Sequence, residues 1–221
     1  MSTKVRVWDL PTRIFHWSLL ACVVGLVISA EVGGDAMEWH FRLGYAVLSL
    51  LLFRIIWGVV GGKWSRFVSF VYSPATTLRH LKGQGSTEHA IGHNPLGALS
   101  VFALLGFLLL QVASGLISDD EIAATGPFVK FVSSAVAGNA TFYHADVGKL
   151  ILMALVALHV GAILFYRFKK GEDLVSPMIY GDKTSVVIAS SSRDDTQTRL
   201  LALSLFSGCV ALVVGVVQWV G

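Results

Sequence analysis

Charged residues are scarce in this sequence, and their scarcity excludes several classes of protein. Asp, Glu, Lys and Arg make up 14% of the 221 residues, hydrophobic residues make up 54%, and the mean hydropathy is +0.69. Soluble domains usually carry about a quarter charged residues. A soluble globular enzyme is therefore not expected, no nucleic-acid partner is expected, and the composition is typical of an integral membrane protein surrounded by lipid.

Cysteine is almost absent too. Cys22 and Cys209 lie in separate apolar stretches, and neither has a second cysteine nearby. A zinc cluster and a C-x-x-C-H motif for covalent haem attachment are therefore both excluded. Acidic residues are also rare inside the apolar stretches, which argues against the carboxylate-rich di-iron sites of helical bundles.

Apolar residues are grouped into five blocks. About 20 apolar residues in helical form cross a bilayer core, and five stretches reach that length: 14–32, 41–60, 96–117, 147–168 and 200–220. The first follows a basic start and resembles a secretory signal, but residues from Met1 onward are present, so we expect a retained helix. Buried helices of a soluble protein would be shorter and would have polar faces.

The predicted fold is an all-α integral membrane protein in three parts. Residues 1–170 are expected to form a four-helix transmembrane bundle, 171–199 a polar cytoplasmic linker, and 200–221 a fifth, C-terminal transmembrane helix. Aromatic and basic residues within 63–81 predict a short helix at the membrane interface. Asn94 and Pro95 then fit the N-cap and first position of the third span.

Basic residues in short loops predict the orientation, because such loops are retained in the cytoplasm. Basic residues lie before the first span, in the loop between the second and third spans, and after the fourth span. They are Lys4, Arg6 and Arg13, then Lys63, Arg66, Arg79 and Lys82, and finally Arg167, Lys169 and Lys170. We therefore expect a bacterial inner-membrane protein with a cytoplasmic N terminus. Five spans would then place Gly221 in the periplasm.

Four histidines lie in or at the ends of predicted spans, namely His16, His40, His144 and His159. Ionisable groups are costly inside a membrane and are functional candidates by default. His144 and His159 share one predicted helix, with their rings roughly 22 Å apart along its axis at about 1.5 Å per residue. By depth, His144 would meet His40 near the outer face and His159 would meet His16 near the inner face.

Two bis-histidine sites, one above the other, suit two non-covalent haems stacked across the membrane, because two axial nitrogens and four porphyrin nitrogens complete the coordination of iron. Gly44 and Gly148 follow His40 and His144 by four residues and would leave room for a flat macrocycle. Close helix packing through small residues is the alternative role for these glycines. A purely structural hydrogen-bonding role is the alternative for the histidines.

The other polar candidates lie towards the predicted cytoplasmic side. His93 could be a third ligand there, a hydrogen-bond partner for a haem propionate or a quinone, or a residue that caps a helix at the interface. His80 and His89 are expected to be solvated loop residues. Arg13 and Arg54 could pair with the propionates of the inner haem; reaching towards lipid headgroups is the alternative, although Arg54 lies within an apolar run and needs a partner.

Several of these stretches resemble the prokaryotic cytochrome b561 family, which includes the cytochrome b subunits of nickel–iron hydrogenases. They are Asp-Leu-Pro-Thr-Arg-Ile-Phe-His-Trp at 9–17, His40 to Gly44, Arg-Ile-Ile-Trp-Gly at 54–58, Gly-His-Asn-Pro-Leu-Gly at 92–97, and His144 to His159. The resemblance covers about residues 6–170 and implies a four-helix bundle that holds two b haems. The fifth helix departs from the simplest members of the family.

The expected function is one-electron transfer between a membrane quinone pool and a periplasmic redox protein such as a c-type cytochrome. A quinone could therefore be a further bound molecule. A membrane-anchor cytochrome b subunit of a hydrogenase-like complex is the alternative, and a superoxide:quinone oxidoreductase is a third. The predicted outer face carries more acidic than basic residues, namely Glu31, Asp35, Glu38, Asp119, Asp120, Glu121 and Asp146 against Arg42, Lys130 and Lys149. Such a face attracts a basic protein and repels superoxide.

Overall fold

The computed structural model describes residues 3–84, 91–122, 124–185 and 189–220. His89, predicted to be a solvated loop residue, and Gly221, predicted to end in the periplasm, lie outside the described residues.

Five helices within the described residues are long and apolar enough to cross a membrane, which confirms the all-α membrane fold. They are α1 (Leu10–Val32), α2 (Ala36–Val60), α4 (Pro95–Leu116), a continuous helix over Ser134–Lys170, and α8 (Thr196–Val220). The continuous helix comprises α5 (Ser134–Phe142), a π-helical segment (Tyr143–Gly148), α6 (Lys149–Phe165) and a second π-helical segment (Tyr166–Lys170).

The fourth span begins earlier than its hydropathy predicts. Residues 134–146 are too rich in small and polar side chains to pass for a membrane span, but Ser133 caps their first turn by accepting a hydrogen bond from the Val136 N–H. Ala137 and Ala140 are buried on one side of α5. His144 therefore lies well inside a helix of 37 residues, whereas the sequence had placed it near the beginning of the span.

The shorter elements follow local signals. The interfacial segment contains a 3₁₀ turn (Phe67–Ser69) and the helix α3 (Pro74–Leu81), and a second 3₁₀ turn covers Val129–Phe131. Asn94 caps α4 as predicted, because its Oδ1 accepts the N–H of Gly97 at 2.8 Å. The remaining elements are the helix α7 (Val175–Tyr180) and the strands β1 (Thr3–Arg6) and β2 (Asp182–Ser185).

The chain forms two compact units, and each long helix contributes residues to both. Unit 1 comprises Met1–Trp17, Phe53–Phe102 and Leu158–Leu205. Its core groups the buried residues Val5, Val7, Trp8 and Ile91. Unit 2 comprises Ser18–Leu52, Ala103–Ala157 and Phe206–Gly221, and its core groups Val47, Leu51, Leu108 and Leu152, which come from α2, α4 and α6.

The predicted linker at 171–199 has defined structure in its described part. Strand β2 pairs antiparallel with β1, with Thr3 opposite Ser185 and Arg6 opposite Asp182. Asp194 accepts the N–H of Leu10 at 3.1 Å and pairs with Arg6 at 2.8 Å. The segment thus packs against the N-terminal residues within unit 1, because its polar side chains find partners that sequence spacing does not reveal.

The start of α1 is anchored by a buried carboxylate. Asp9 is 0% exposed and its Oδ1 caps the helix by accepting the Thr12 N–H at 2.8 Å. The carboxylate also accepts hydrogen bonds from Ser65 Oγ at 2.8 Å and from the Gly62 N–H at 3.2 Å. These bonds fix the first turn of α1, and with it Arg13 and His16, against the residues that follow α2.

Candidate cofactor sites

The imidazole rings of His40 and His144 face each other within unit 2. Their centroids are 6.0 Å apart and their planes are inclined by 84°. Two imidazole nitrogens that each bind a metal at about 2 Å place their ring centroids roughly 6 Å apart. The predicted outer pair is therefore brought together at a spacing that suits coordination of one iron.

Both histidines line an apolar cavity of about 350 Å³, a size within the range of about 300–1,000 Å³ that small-molecule sites occupy. Most of the lining is aliphatic or aromatic, including Val23, Leu26, Phe41, Leu108, Val112 and Leu152. Gly44 also lines the cavity, and a Cβ at this position would meet no described atom within 4 Å. The open space beside Gly44 lies where a flat macrocycle was predicted, so these residues fit a haem.

Gly148 has a different surrounding, and its predicted role needs correction. A Cβ at Gly148 would overlap Oε1 of Gln111 and would lie 2.9 Å from a ring carbon of Tyr143. Gly148 therefore makes room for the Gln111 side chain and does not face open space in the cavity. The close-packing alternative describes this glycine better than clearance for a haem.

His40 is held by the neighbouring helix α1. Its Nδ1 lies 3.1 Å from the backbone O of Leu26 and 3.3 Å from Ser29 Oγ. A carbonyl only accepts hydrogen bonds, so Nδ1 carries the proton and Nε2 keeps the lone pair that a metal requires.

His144 is held in the same way by α4. Its Nδ1 donates to the backbone O of Gln111 at 2.8 Å, and Gln111 Nε2 donates to the backbone O of His144 at 2.7 Å. Ser114 Oγ lies 3.3 Å from the same Nδ1. A Cβ at Gly115 would lie only 2.7 Å from His144 Cε1, so the ring occupies the space that this glycine leaves open.

Four residues of this site were not predicted from the sequence, namely Ser29, Gln111, Ser114 and Gly115. Gln111 and Ser114 offered a signal, since polar residues three apart in an otherwise apolar span share one face and need partners there. The π-helical segment Tyr143–Gly148 around His144 is a second feature of this site, and π-helical turns occur frequently at functional sites.

In unit 1, His16, His159 and His93 lie near one another and near Arg54. Burial, and then the positive charges of Arg54, His159 and His16, lower the pKa of His93 to about 3. The ring of His93 packs against Trp8, with centroids 4.6 Å apart, and its Nδ1 is buried without a hydrogen-bond partner among the described residues. His93 is therefore part of the buried cluster, whereas the helix cap is Asn94.

The two axial candidates of unit 1 have sparse hydrogen bonding. Ser100 Oγ lies 3.2 Å from Nδ1 of His159. Nδ1 of His16 is buried without a partner among the described residues, and its ring meets Trp17 edge-on at 5.1 Å.

Arg54 and Arg13 have nitrogens that an anionic group could satisfy. Arg54 is 3% exposed and its guanidinium lies over the Phe67 ring at 4.7 Å, yet its Nη1 has no partner among the described residues. Arg13 donates from Nη1 to the Ile179 backbone O at 2.6 Å, while its Nε is buried and unbonded within the described chain. A propionate would satisfy such donors, so the residues of unit 1 also fit a haem.

Two further polar residues on the predicted cytoplasmic side form hydrogen bonds outside the histidine pairs. Lys63 binds Ser190 Oγ at 2.6 Å, and His80 Nε2 lies 3.2 Å from the Tyr166 hydroxyl. Among the described residues, no group of three or more His, Cys, Asp or Glu side chains is placed to hold a metal ion. The described histidines thus include a facing pair in unit 2 and a group of neighbours in unit 1.

Comparison with known proteins gives a family match over most of the chain. The family model described as prokaryotic cytochrome b561 matches residues 7–181. A "probable Ni/Fe-hydrogenase 1 B-type cytochrome subunit" of Escherichia coli (strain K12) is 24% identical over 210 residues, covering 79% of this chain and 88% of the relative. The corresponding "probable Ni/Fe-hydrogenase B-type cytochrome subunit" of Rhodobacter capsulatus is 25% identical over 223 residues, covering 82% of each chain. That of Azotobacter vinelandii is 26% identical over 213 residues, covering 81% of this chain and 88% of the relative.

The matched region includes all four axial candidates and the cavity of unit 2. A b-type cytochrome carries haem b, which is the group that the histidines, the apolar cavity and the unbonded arginine nitrogens fit. The chain therefore belongs to the prokaryotic cytochrome b561 family and is a multi-pass membrane b-type cytochrome of electron transfer.

Proposed function

We propose that this chain holds two haem b groups and relays single electrons between the membrane quinone pool and a redox protein at the periplasmic face. The facing pair His40 and His144, 6.0 Å apart on an apolar cavity, is the observation that carries the proposal. When bound, haem b supplies reversible one-electron redox chemistry, and the protein supplies ligation, orientation and exclusion of water.

The residues of unit 2 would hold one haem. His40 and His144 would bind its iron through Nε2, since a backbone carbonyl holds the proton of each ring on Nδ1. Gly44 leaves space for the macrocycle, and the aliphatic lining keeps water away from the iron. Exclusion of water matters because the polarity around a haem is one of the levers by which a protein sets its potential.

The residues of unit 1 would hold the second haem. His16 and His159 would bind its iron, and Arg13 and Arg54 would neutralise the propionates with nitrogens that lack partners among the described residues. The buried Nδ1 of His93 would bond to a propionate or to a quinone carbonyl. This assignment accounts for buried polar atoms that would otherwise cost about 1–3 kcal/mol each.

Charge at the predicted outer face supports a basic partner such as a c-type cytochrome. Lys149 is paired with Glu31 at 3.2 Å and Arg42 is paired with Glu38, so these basic side chains are neutralised. Glu121 is exposed in the loop before the fourth span. We infer that the N terminus is cytoplasmic in the bacterial inner membrane, which places this acidic surface towards the periplasm.

The alternative function is that of the membrane-anchor cytochrome b in a hydrogenase-like complex. The relatives favour it, since they are named as probable B-type cytochrome subunits of Ni/Fe-hydrogenases. In that case the periplasmic partner is a larger oxidoreductase rather than a diffusing cytochrome. Stable co-purification of hydrogenase subunits with the tagged chain would favour the anchor role over the carrier role.

Haem content tests the ligand assignment. A pyridine haemochrome assay on detergent-purified protein should give two haem b per chain, and His40→Ala and His159→Ala should each lose one. His80→Gln is the matched control and should retain two, because His80 bonds to Tyr166 and not to either pair. One haem in the unmodified chain would show that a pair is misassigned, with His93 the first residue to reconsider, and none would overturn the proposal.

A further inference from the structure

The two histidines of unit 2 share a repeated hydrogen-bonding arrangement. In each case Nδ1 approaches a backbone carbonyl, and a serine three residues further along the same helix donates its hydroxyl to that carbonyl. For His40 the carbonyl is that of Leu26, reached by Ser29 Oγ at 3.1 Å. For His144 the carbonyl is that of Gln111, which Ser114 Oγ reaches at 2.9 Å.

Both serines are shielded from solvent, with Ser29 5% and Ser114 9% exposed. A buried hydroxyl needs an acceptor, and the carbonyl three residues back supplies it. The hydroxyl also fixes the carbonyl at the position where the imidazole proton is donated. We call these two arrangements the carbonyl–serine pairs, Leu26 with Ser29 and Gln111 with Ser114.

Among the described residues, the axial candidates of unit 1 have no such carbonyl–serine pair. His159 has the side-chain oxygen of Ser100 near its Nδ1, at 3.2 Å, instead of a backbone carbonyl. Nδ1 of His16 has no hydrogen-bond partner among the described residues. The two sites thus share the same ligand type and differ in what the distal nitrogen of each ligand donates to.

This difference has a direct electronic consequence. A histidine that donates its Nδ1–H to a carbonyl becomes more basic at Nε2, and a more basic axial ligand stabilises oxidised iron relative to reduced iron. Hydrogen bonding around the ligands is one of the levers that set haem potentials. The His40/His144 site has two carbonyl acceptors, and the described contacts of the His16/His159 site include none. This difference favours a lower potential at the His40/His144 site.

The charged residues around the two sites do not reverse the expected order of the potentials. In unit 1 the buried cation Arg54 is offset by the nearby carboxylate of Asp9, and Arg13 lies 3.9 Å from Asp194. In unit 2 the charged residues that line the cavity are Lys149 and Asp120, which have opposite signs. With the charges around each site balanced in this way, the difference in hydrogen bonding sets the expected order of the potentials.

We propose that the carbonyl–serine pairs make the His40/His144 site the lower-potential site of this cytochrome, so that an electron is more stable at the His16/His159 site. The inference rests on the proposed function, because it requires a haem at both pairs. With the orientation proposed above, the driving force favours transfer from the periplasmic side towards the cytoplasmic side.

Redox titration of single-haem variants tests the order of the potentials. The full-length His159→Ala and His40→Ala proteins, each with one haem by the pyridine haemochrome assay, are reconstituted in lipid nanodiscs and titrated by visible absorption. We expect the haem retained in His159→Ala to have the lower midpoint potential, by at least a tenfold preference in electron occupancy, which corresponds to about 59 mV for one electron. Equal potentials or the reverse order would overturn the inference.

A serine variant tests the cause. Ser100→Ala removes the oxygen next to His159 Nδ1 and should raise the potential of the His16/His159 haem while leaving the other unchanged. Ser49→Ala is the control, since Ser49 is a buried serine whose described hydrogen bond goes to the Tyr45 carbonyl. If Ser100→Ala moves neither potential, the partners of Nδ1 do not set the order and the inference fails.

The haem count separates this inference from the proposed function. Two haems per chain, with one lost in each histidine variant, leave the proposed function standing whatever the potentials are. A single haem in the unmodified chain would overturn both, because there would be no second site to compare.

Discussion

Gly115 provides the space that the His144 ring occupies. A Cβ at position 115 would lie 2.7 Å from His144 Cε1 and 3.1 Å from its Nδ1, closer than carbon and nitrogen atoms approach without bonding. The ring is wedged between this backbone and the Gln111 carbonyl that accepts its proton. The position of a proposed iron ligand therefore depends on a glycine on another helix.

Gly115→Ala should displace His144 and reduce the haem content of the purified protein from two to about one per chain. Gly106→Ala is the control, because Gly106 lies on the same helix and a Cβ there would meet no described atom within 4 Å. This variant should keep two haems. Because Ala has the higher helix propensity, neither change should unfold α4. Pyridine haemochrome assays of both variants check the prediction, and full haem content in Gly115→Ala would contradict it.

The ring planes of His40 and His144 predict the EPR spectrum of their haem. Planes inclined by 84° leave two of the iron d orbitals nearly equal in energy, and oxidised low-spin haem with such ligands gives a strongly anisotropic signal instead of a rhombic one. We expect this signal at low temperature in the unmodified protein and in His159→Ala. A purely rhombic spectrum in His159→Ala, which should retain only the haem of this pair, would contradict the ring geometry.

Gly44 should be required for cofactor binding and not for folding. Gly44→Leu places an aliphatic side chain in the open cavity of about 350 Å³, where it would compete with the macrocycle. We expect the loss of one haem per chain with unchanged helical content by circular dichroism. Gly161→Leu is the control, because Gly161 also has open space at its Cβ but does not line the cavity. Loss of haem in both variants would point to a general defect.

Asp194 should make the stability of unit 1 dependent on pH. Burial acts to raise the pKa of this carboxyl, but hydrogen bonds from Arg199 and the Leu10 N–H, together with the charges of Arg199 and Arg6, outweigh it and hold the pKa below its usual range. The ionised form is thus favoured by folding, so its contribution is present above the unfolded pKa of about 3.9 and is lost as the pH falls through the folded value.

Asp194→Asn should therefore lower the melting temperature by several degrees at pH 7, and the difference from the unmodified protein should shrink as the pH falls below about 4. The exposed Asp35→Asn serves as the control and should change the melting temperature little at either pH. A difference for Asp194→Asn that is independent of pH would show that packing, and not charge, is responsible.

Electron exchange with a basic c-type cytochrome should slow as salt is added. Opposite charges at a docking surface accelerate association, and the Debye length is about 10 Å at 0.1 M salt. Stopped-flow measurement across a salt series should show a falling rate, and Glu121→Gln should lower the rate at low salt only. Asp173→Asn changes an acidic residue on the predicted cytoplasmic side and is the control. A rate that is indifferent to ionic strength would count against the acidic docking surface.

Much of the membrane architecture was accessible from the sequence. Hydropathy is a local property, so the stretches at 41–60 and 96–117 predicted α2 and α4 closely. The fourth span was predicted too short, because residues 134–146 are helical through the Ser133 cap and the burial of small side chains and not through hydropathy. The segment 171–199 was predicted to be a polar linker, and its pairing with Thr3–Arg6 was not predicted because the two strands lie at opposite ends of the chain.

The sequence by itself determined that this is a membrane cytochrome and that His16, His40, His144 and His159 are its ligand candidates, since rare histidines in apolar spans stand out without any structure. Only the tertiary structure decided that Gly44 borders a cavity whereas Gly148 accommodates Gln111. It also decided which carbonyl accepts the proton of each histidine. These features depend on contacts between different helices, and the spacing of residues along one helix carries no information about what a neighbouring helix places opposite it.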